Sequence, residues 1–212
     1  MNAPHIPIRV EPPPAPPLRS AEDSARADHY ALLARLFFAA PDDGLLAALA
    51  GAGRGYGQGD GPLANAWAAL GEAAAGCDAR AARAEFDALF VGIGRPEVMP
   101  YGSFYLAGFL MEEPLANLRE DLAALGLGRR AGVAETEDHF AALAEVMRHL
   151  VLTGPDAAGL ERQRRFFVRH LQPWYASLAE TLAAAPQACL YGRVGALALA
   201  FLDIEREAFA MD

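Results

Sequence analysis

The stretch Leu190-Tyr191-Gly192-Arg193-Val194-Gly195-Ala196-Leu197-Ala198-Leu199-Ala200-Phe201 decides the fold class. Leu190, Val194, Leu197 and Phe201 recur at i, i+4, i+7 and i+11, a spacing that gathers side chains on one face of an α-helix. The same period runs upstream. Tyr30, Leu33 and Phe37 follow i, i+3, i+7, and Pro41 stops that helix. Phe140, Leu143, Met147, Leu150 and Val151 form another stripe, which Gly154-Pro155 ends. Leu115, Leu118, Leu122 and Leu125 mark a third, with Gly126 and Gly128 as its stop.

Shorter helices are expected at 43–50, 63–75 and 79–90. Another carries Leu160, Phe167 and Leu171, and Pro173 separates it from one at 174–185. Alanine and leucine dominate and β-branched residues are few, which favours helices over strands. No repeat or strand pattern emerges. The reading is all-α, a single globular bundle of roughly eight to ten helices. Residues 1–20 are proline-rich and are expected to form a disordered or extended tail ahead of a helical domain at 21–212. Val91–Gly102, with its glycines and prolines, is the strongest internal break and a candidate hinge. Such a hinge lets helical halves exchange between copies, so the chain is expected as a monomer or a domain-swapped dimer.

The chain has 212 residues and a formal charge of −9, and all its Lys+Arg total of 18 is arginine. That charge argues against general nucleic-acid binding, which needs cationic surface to displace counterions. It suits a cationic partner. Cys77 and Cys189 stand far apart in no metal-like spacing, and the reducing cytoplasm is the simpler compartment. No signal peptide is expected, since residues 1–20 are proline-rich and hold no apolar core. The longest apolar run, Val194–Leu202, is too short to span a bilayer, so no stable membrane insertion is expected.

Gly51-Ala52-Gly53-Arg54-Gly55 has no strand before it and reads as part of a flexible loop over 51–62. A Walker A motif needs lysine, which the chain lacks. No Glu-x-x-His pair of the di-iron type occurs, so no metal site is expected. No nucleophile elbow surrounds Ser103, which reads as the N-cap of a short helix, and no catalytic residue is assigned. Arg162, Arg164, Arg165 and Arg169 read as a solvated helix face. Asp138 suits a helix start, its charge meeting the positive end of the macrodipole. His139 beside Phe140 is not explained that way, and spacing leaves open whether the pair is structural or functional.

Several segments in order carry a resemblance. They are Leu89-Phe90-Val91-Gly92, Pro100-Tyr101-Gly102-Ser103-Phe104-Tyr105, Glu135-x-x-Asp138-His139, Phe167…His170-Leu171…Trp174, and Phe201-Leu202-Asp203…Glu205. Together they resemble the TorD/DmsD family of cytoplasmic chaperones for molybdenum-containing oxidoreductases. The likeness runs from about His29 to Glu205. It implies a non-enzymatic, all-helical protein that binds the twin-arginine leader of a molybdoenzyme apoprotein and assists cofactor insertion before export. By resemblance, Asp138 and His139 match the family's leader-binding pair. Tyr101, Ser103 and Tyr105 match its aromatic-Gly-Ser-x-aromatic segment. Thr136 stands where the family often has proline, and threonine is expected to cap the following helix instead. Glu135, Glu137 and Asp138 are expected to pair with the leader's guanidinium groups, and Tyr101 and Tyr105 to cover its apolar part. The alternatives are a NarJ-type chaperone for a nitrate-reductase-like client that is not exported, a weak GTP-binding or hydrolysing helical protein, and a passive interaction domain.

Overall fold

The computed structural model describes residues 20–92, 96–110, 113–129, 132 and 134–211. The expected tail at 1–19, residues 93–95 of the candidate hinge and Arg130 lie outside the described residues. Local capping sets the first helices. Ser20 accepts the Asp23 N–H at 2.9 Å and opens α1 (Ala21–Phe38). Asp42 accepts from Leu45 at 2.8 Å and opens α2 (Asp43–Tyr56). Pro62 occupies the first position of α3 (Pro62–Ala75), where its missing N–H costs nothing. Asp78 accepts from Ala81 at 2.7 Å at the start of α4 (Ala79–Phe86), which runs into one π-helical turn, Asp87–Val91. Then follow α5 (Gly102–Ala107), α6 (Glu113–Ala124), α7 (Phe140–Thr153), α8 (Ala157–His170), α9 (Tyr175–Ala184) and α10 (Leu190–Met211). Asp156 caps α8 by accepting from Gly159 at 2.7 Å. The architecture is all-α. Among the described residues the only strand-like pairing is a single antiparallel bridge between Tyr101 and His139.

The stripes read from the sequence face the core. Tyr30, Leu33 and Phe37 of α1 and Phe140, Leu143 and Met147 of α7 share one core, all nearly inaccessible to water, and the Phe37 and Phe140 rings meet with centroids 4.4 Å apart. α1 and α7 form the most extensive helix pair, with α2 on α3 and α10 on α9 and α3 around them. A buried clasp ties three helices together. Arg26 of α1 donates to both carboxylate oxygens of Glu205 on α10, at 2.7 and 2.9 Å, and to Gln163 of α8 at 3.0 Å. Tyr30 donates to the same carboxylate at 2.9 Å. Burial alone would lower the Arg26 guanidinium, but the Glu205 hydrogen bonds and charge outweigh it and hold the guanidinium above its ordinary value.

Two expectations need correction. The glycine run at 51–55 is not loop: α2 continues through it to Tyr56. A Cβ on Gly53 would lie 2.6 Å from Gly71 Cα, so the backbones of α2 and α3 meet directly and the contact offsets the poor helix propensity of glycine. Ser103 is not an N-cap. Tyr101 holds that position, and Ser103 lies inside α5, bonded to Asp138. The arginines of α8 do form a largely exposed face, with Arg164 paired to Glu161 and Arg169 to Asp121 of α6.

Candidate functional site

The segments around 101 and 138 lie side by side. Phe140 N–H donates to Pro100 O at 2.8 Å and Gly102 N–H to Asp138 O at 3.0 Å, which forms the Tyr101–His139 bridge. Val98, fully buried, donates its N–H to Leu89 O at 2.9 Å and anchors the chain entering this bridge. The Tyr101 and His139 rings meet edge to face with centroids 4.9 Å apart.

Asp138 is the buried centre of the arrangement, only 3% exposed. Its Oδ2 accepts the Ser103 N–H at 2.9 Å and the Ser103 hydroxyl at 2.5 Å. Its Oδ1 accepts the Thr136 hydroxyl at 2.5 Å. The carboxylate therefore serves a first-turn N–H of α5, not the start of α7 expected from its sequence position. Thr136 does not cap α7; its hydroxyl holds Asp138. The N-cap of α7 is His139, whose Nδ1 accepts the Ala141 N–H at 3.1 Å. That bond places the ring proton on Nε2. Burial pushes the imidazole down to about 4, against the opposing pull of Glu135 and Asp138, so His139 is neutral near pH 7. Burial first, and then Glu135 and Asp138, raise the Tyr101 phenol.

A groove of about 600 Å³ opens beside this bridge, within the range of ligand pockets. Its apolar walls come from Ala34 and Phe38 of α1, Leu122 of α6, and Ala142 and Val146 of α7. Glu135, Thr136, Glu137 and His139 line one end, with Arg129 beside them, and Glu145, His149 and Arg35 complete the wall. Glu137 Oε2 accepts from Arg119 at 2.9 and 3.1 Å, and its Oε1 lies 3.8 Å from Arg129 Nε. Burial would raise the Glu137 carboxyl, but the Arg119 hydrogen bonds and the charges of Arg119 and Arg129 hold it below its ordinary value.

Of the residues singled out in the sequence, Glu135, Glu137 and His139 share this groove. Tyr101 adjoins it through His139. Ser103 and Asp138 instead border a smaller cavity of about 180 Å³ with His170 and Arg169. Tyr105 stacks on Trp174 at 5.4 Å, against the core. The wall supplied by α1 and the two arginines facing Glu137 were not foreseen. Phe38, 61% exposed at the end of α1 and off its apolar stripe, was the available signal. Among the described residues no group of three or more His, Cys, Asp or Glu is placed to hold a metal ion, and no helix is long and apolar enough to cross a membrane.

Comparison with known proteins adds an independent line. A family model described as nitrate reductase delta subunit matches residues 58–180. The chain is 30% identical over 131 residues to the protein named chaperone protein TorD from Vibrio cholerae serotype O1 strain El Tor Inaba N16961. The counterpart of the same name in the Classical Ogawa 395 strain matches equally. These matches cover 58% of this chain and 60% of each relative's length.

Proposed function

The chain belongs to the nitrate reductase delta subunit family, and on that premise we propose that it is a non-enzymatic assembly chaperone for a molybdenum-cofactor oxidoreductase. In this reading it binds the twin-arginine leader of the apoprotein in the cytoplasm and holds it while cofactor is inserted, before export. The observation that carries the reading is the groove itself. Apolar walls of α1, α6 and α7 lead to an end where Glu135 and Glu137 stand beside His139. A leader offers the complementary chemistry: adjacent guanidinium groups for the carboxylates, and an apolar segment for the walls. Asp138 acts in this reading through Ser103 and Thr136, by fixing the loop that presents Glu135, Glu137 and His139.

Calorimetry with a synthetic peptide of two adjacent arginines followed by an apolar segment tests the assignment. Glu135→Gln and Glu137→Gln are each expected to weaken binding by about 1 kcal/mol or more, the scale of a charge-assisted contact. Unchanged affinity in both would remove the carboxylates from the site. The description of the matching family favours a second reading, a NarJ-type chaperone whose nitrate-reductase-like client is not exported. Capture of the client from lysate separates the two: the first reading expects a bound apoprotein with a twin-arginine leader, the second one without.

A further inference from the structure

We infer that the groove reads one arginine and one bulky apolar side chain of its peptide: Glu135 takes the guanidinium, Phe38 covers the apolar residue, and the second arginine of a leader adds little. The inference rests on the leader-binding reading above and narrows the class of peptide that the groove selects.

The carboxylates at and beside the groove are not equally available. Asp138 has both oxygens engaged by Ser103 and Thr136. Glu145 pairs with Arg148 at 3.2 Å. Glu137 already receives two hydrogen bonds from Arg119 on Oε2, and the charge of Arg129 faces its Oε1. Guanidinium groups of the protein itself thus compensate Glu137, and one more gains little there. Glu135 is different. It lines the groove, is half-buried, and among the described residues has no hydrogen-bond or ion-pair partner. His139 beside it is neutral near pH 7 and adds no opposing charge. A half-buried carboxylate without a partner gains the whole of a bidentate contact from a single arginine.

The apolar feature stands at the same end. The Phe37 and Phe140 rings meet with centroids 4.4 Å apart, which sets the end of α1 against the start of α7. Phe38 follows directly and lines the groove where Glu135 and His139 do. Its ring is 61% exposed, outside the core that Phe37 enters. An exposed ring on a concave apolar surface is an anchor for a partner, because covering it removes a large apolar area from water. One free charge and one free ring in the same recess select a peptide with an arginine close to a bulky apolar residue. A peptide carrying only one of the two features leaves the other group uncovered and binds less well.

The test is calorimetry with four synthetic peptides that carry Arg-Arg, Arg-Ala, Ala-Arg or Ala-Ala ahead of the same apolar segment. On the wild type, at least one single-arginine peptide is expected to bind within about fivefold of the Arg-Arg peptide, and Ala-Ala about tenfold or more below it. In Glu135→Gln the advantage of that single arginine over Ala-Ala is expected to vanish. Glu137→Gln is expected to weaken the arginine peptides by a common factor and to leave that advantage in place, as suits a residue that positions the loop through Arg119. Phe38→Ala is expected to weaken all four peptides by about three- to tenfold with Tm unchanged, since the ring lies outside the core. If both single-arginine peptides fall more than fivefold below Arg-Arg, both arginines are read; the inference is overturned and the leader-binding reading stands. An arginine advantage that survives Glu135→Gln, or wild-type affinity in Phe38→Ala, also overturns it. If the wild type binds Arg-Arg no better than Ala-Ala, or binds neither, the inference and the leader-binding reading fall together.

Discussion

Asp138→Ala separates a structural from a ligand-contacting role for the buried carboxylate. The substitution removes the acceptor for three donors: the Ser103 N–H, the Ser103 hydroxyl and the Thr136 hydroxyl. Ser103 is fully buried, so neither of its donors finds water easily, whereas Thr136 is partly exposed and rehydrates. Each buried orphan costs about 1–3 kcal/mol, so the two Ser103 donors together suggest a loss of about 3 kcal/mol. For a chain of this size that lowers Tm by about 6–12 °C. Asp138→Asn keeps an oxygen for Ser103, and the Thr136 hydroxyl can turn to accept, so only charge assistance is lost. Its expected cost is about 1 kcal/mol. The assay is thermal unfolding followed by circular dichroism, with peptide calorimetry on the same samples below Tm. Peptide affinity should fall in Asp138→Ala because the loop bearing Glu135 and Glu137 loosens. An Asp138→Ala protein with wild-type Tm and lost affinity would refute the reasoning, for the carboxylate would then be contacting the peptide itself.

Further outcomes are expected at His139, at the glycines of α2 and at Glu205. His139 has a folded-state value of about 4 against an ordinary 6.5, so the unfolded chain binds the extra proton first. Stability is therefore full above about pH 6.5 and falls as pH drops toward 4, by at most about 3 kcal/mol. His139→Asn, which can still accept the Ala141 N–H, is expected to flatten the Tm-versus-pH curve in that window, leaving the same-signed contribution of the buried His170. In α2, Gly53→Ala forces a Cβ onto Gly71 Cα at 2.6 Å and should cost about 1–3 kcal/mol in chemical denaturation. Gly55→Ala, with nothing within 4 Å, should stabilise by up to about 1 kcal/mol. Glu205→Ala strands the Arg26 guanidinium and the Tyr30 hydroxyl in a buried site, and should lower stability by about 3–5 kcal/mol in the same assay.

Much of this fold is legible because helix formation is a local matter. The apolar stripes at Tyr30–Phe37, Phe140–Val151 and Leu190–Phe201 name their own buried faces. Ser20, Asp42, Asp78 and Asp156 cap helices with partners three residues away. Where the reading failed, the deciding contact lay elsewhere in the chain. The glycines of 51–55 look like a loop until Gly71 is laid across them. Ser103 looks like a cap until Asp138 arrives from 35 residues away.

The candidate site divides in the same way. By itself, the sequence determined which residue types gather at 101–105 and 135–139, and that these segments border helices, because periodicity and turn chemistry act over a few residues. Only the tertiary structure decided their duties. Packing turned Asp138 inward and left Glu135 and Glu137 at the groove. It brought α1 round as the facing wall and set Arg119 and Arg129 on the two oxygens of one carboxylate. A side chain's hydrogen-bond partners and exposure depend on which helix lies across from it, and one-dimensional spacing does not encode that neighbour.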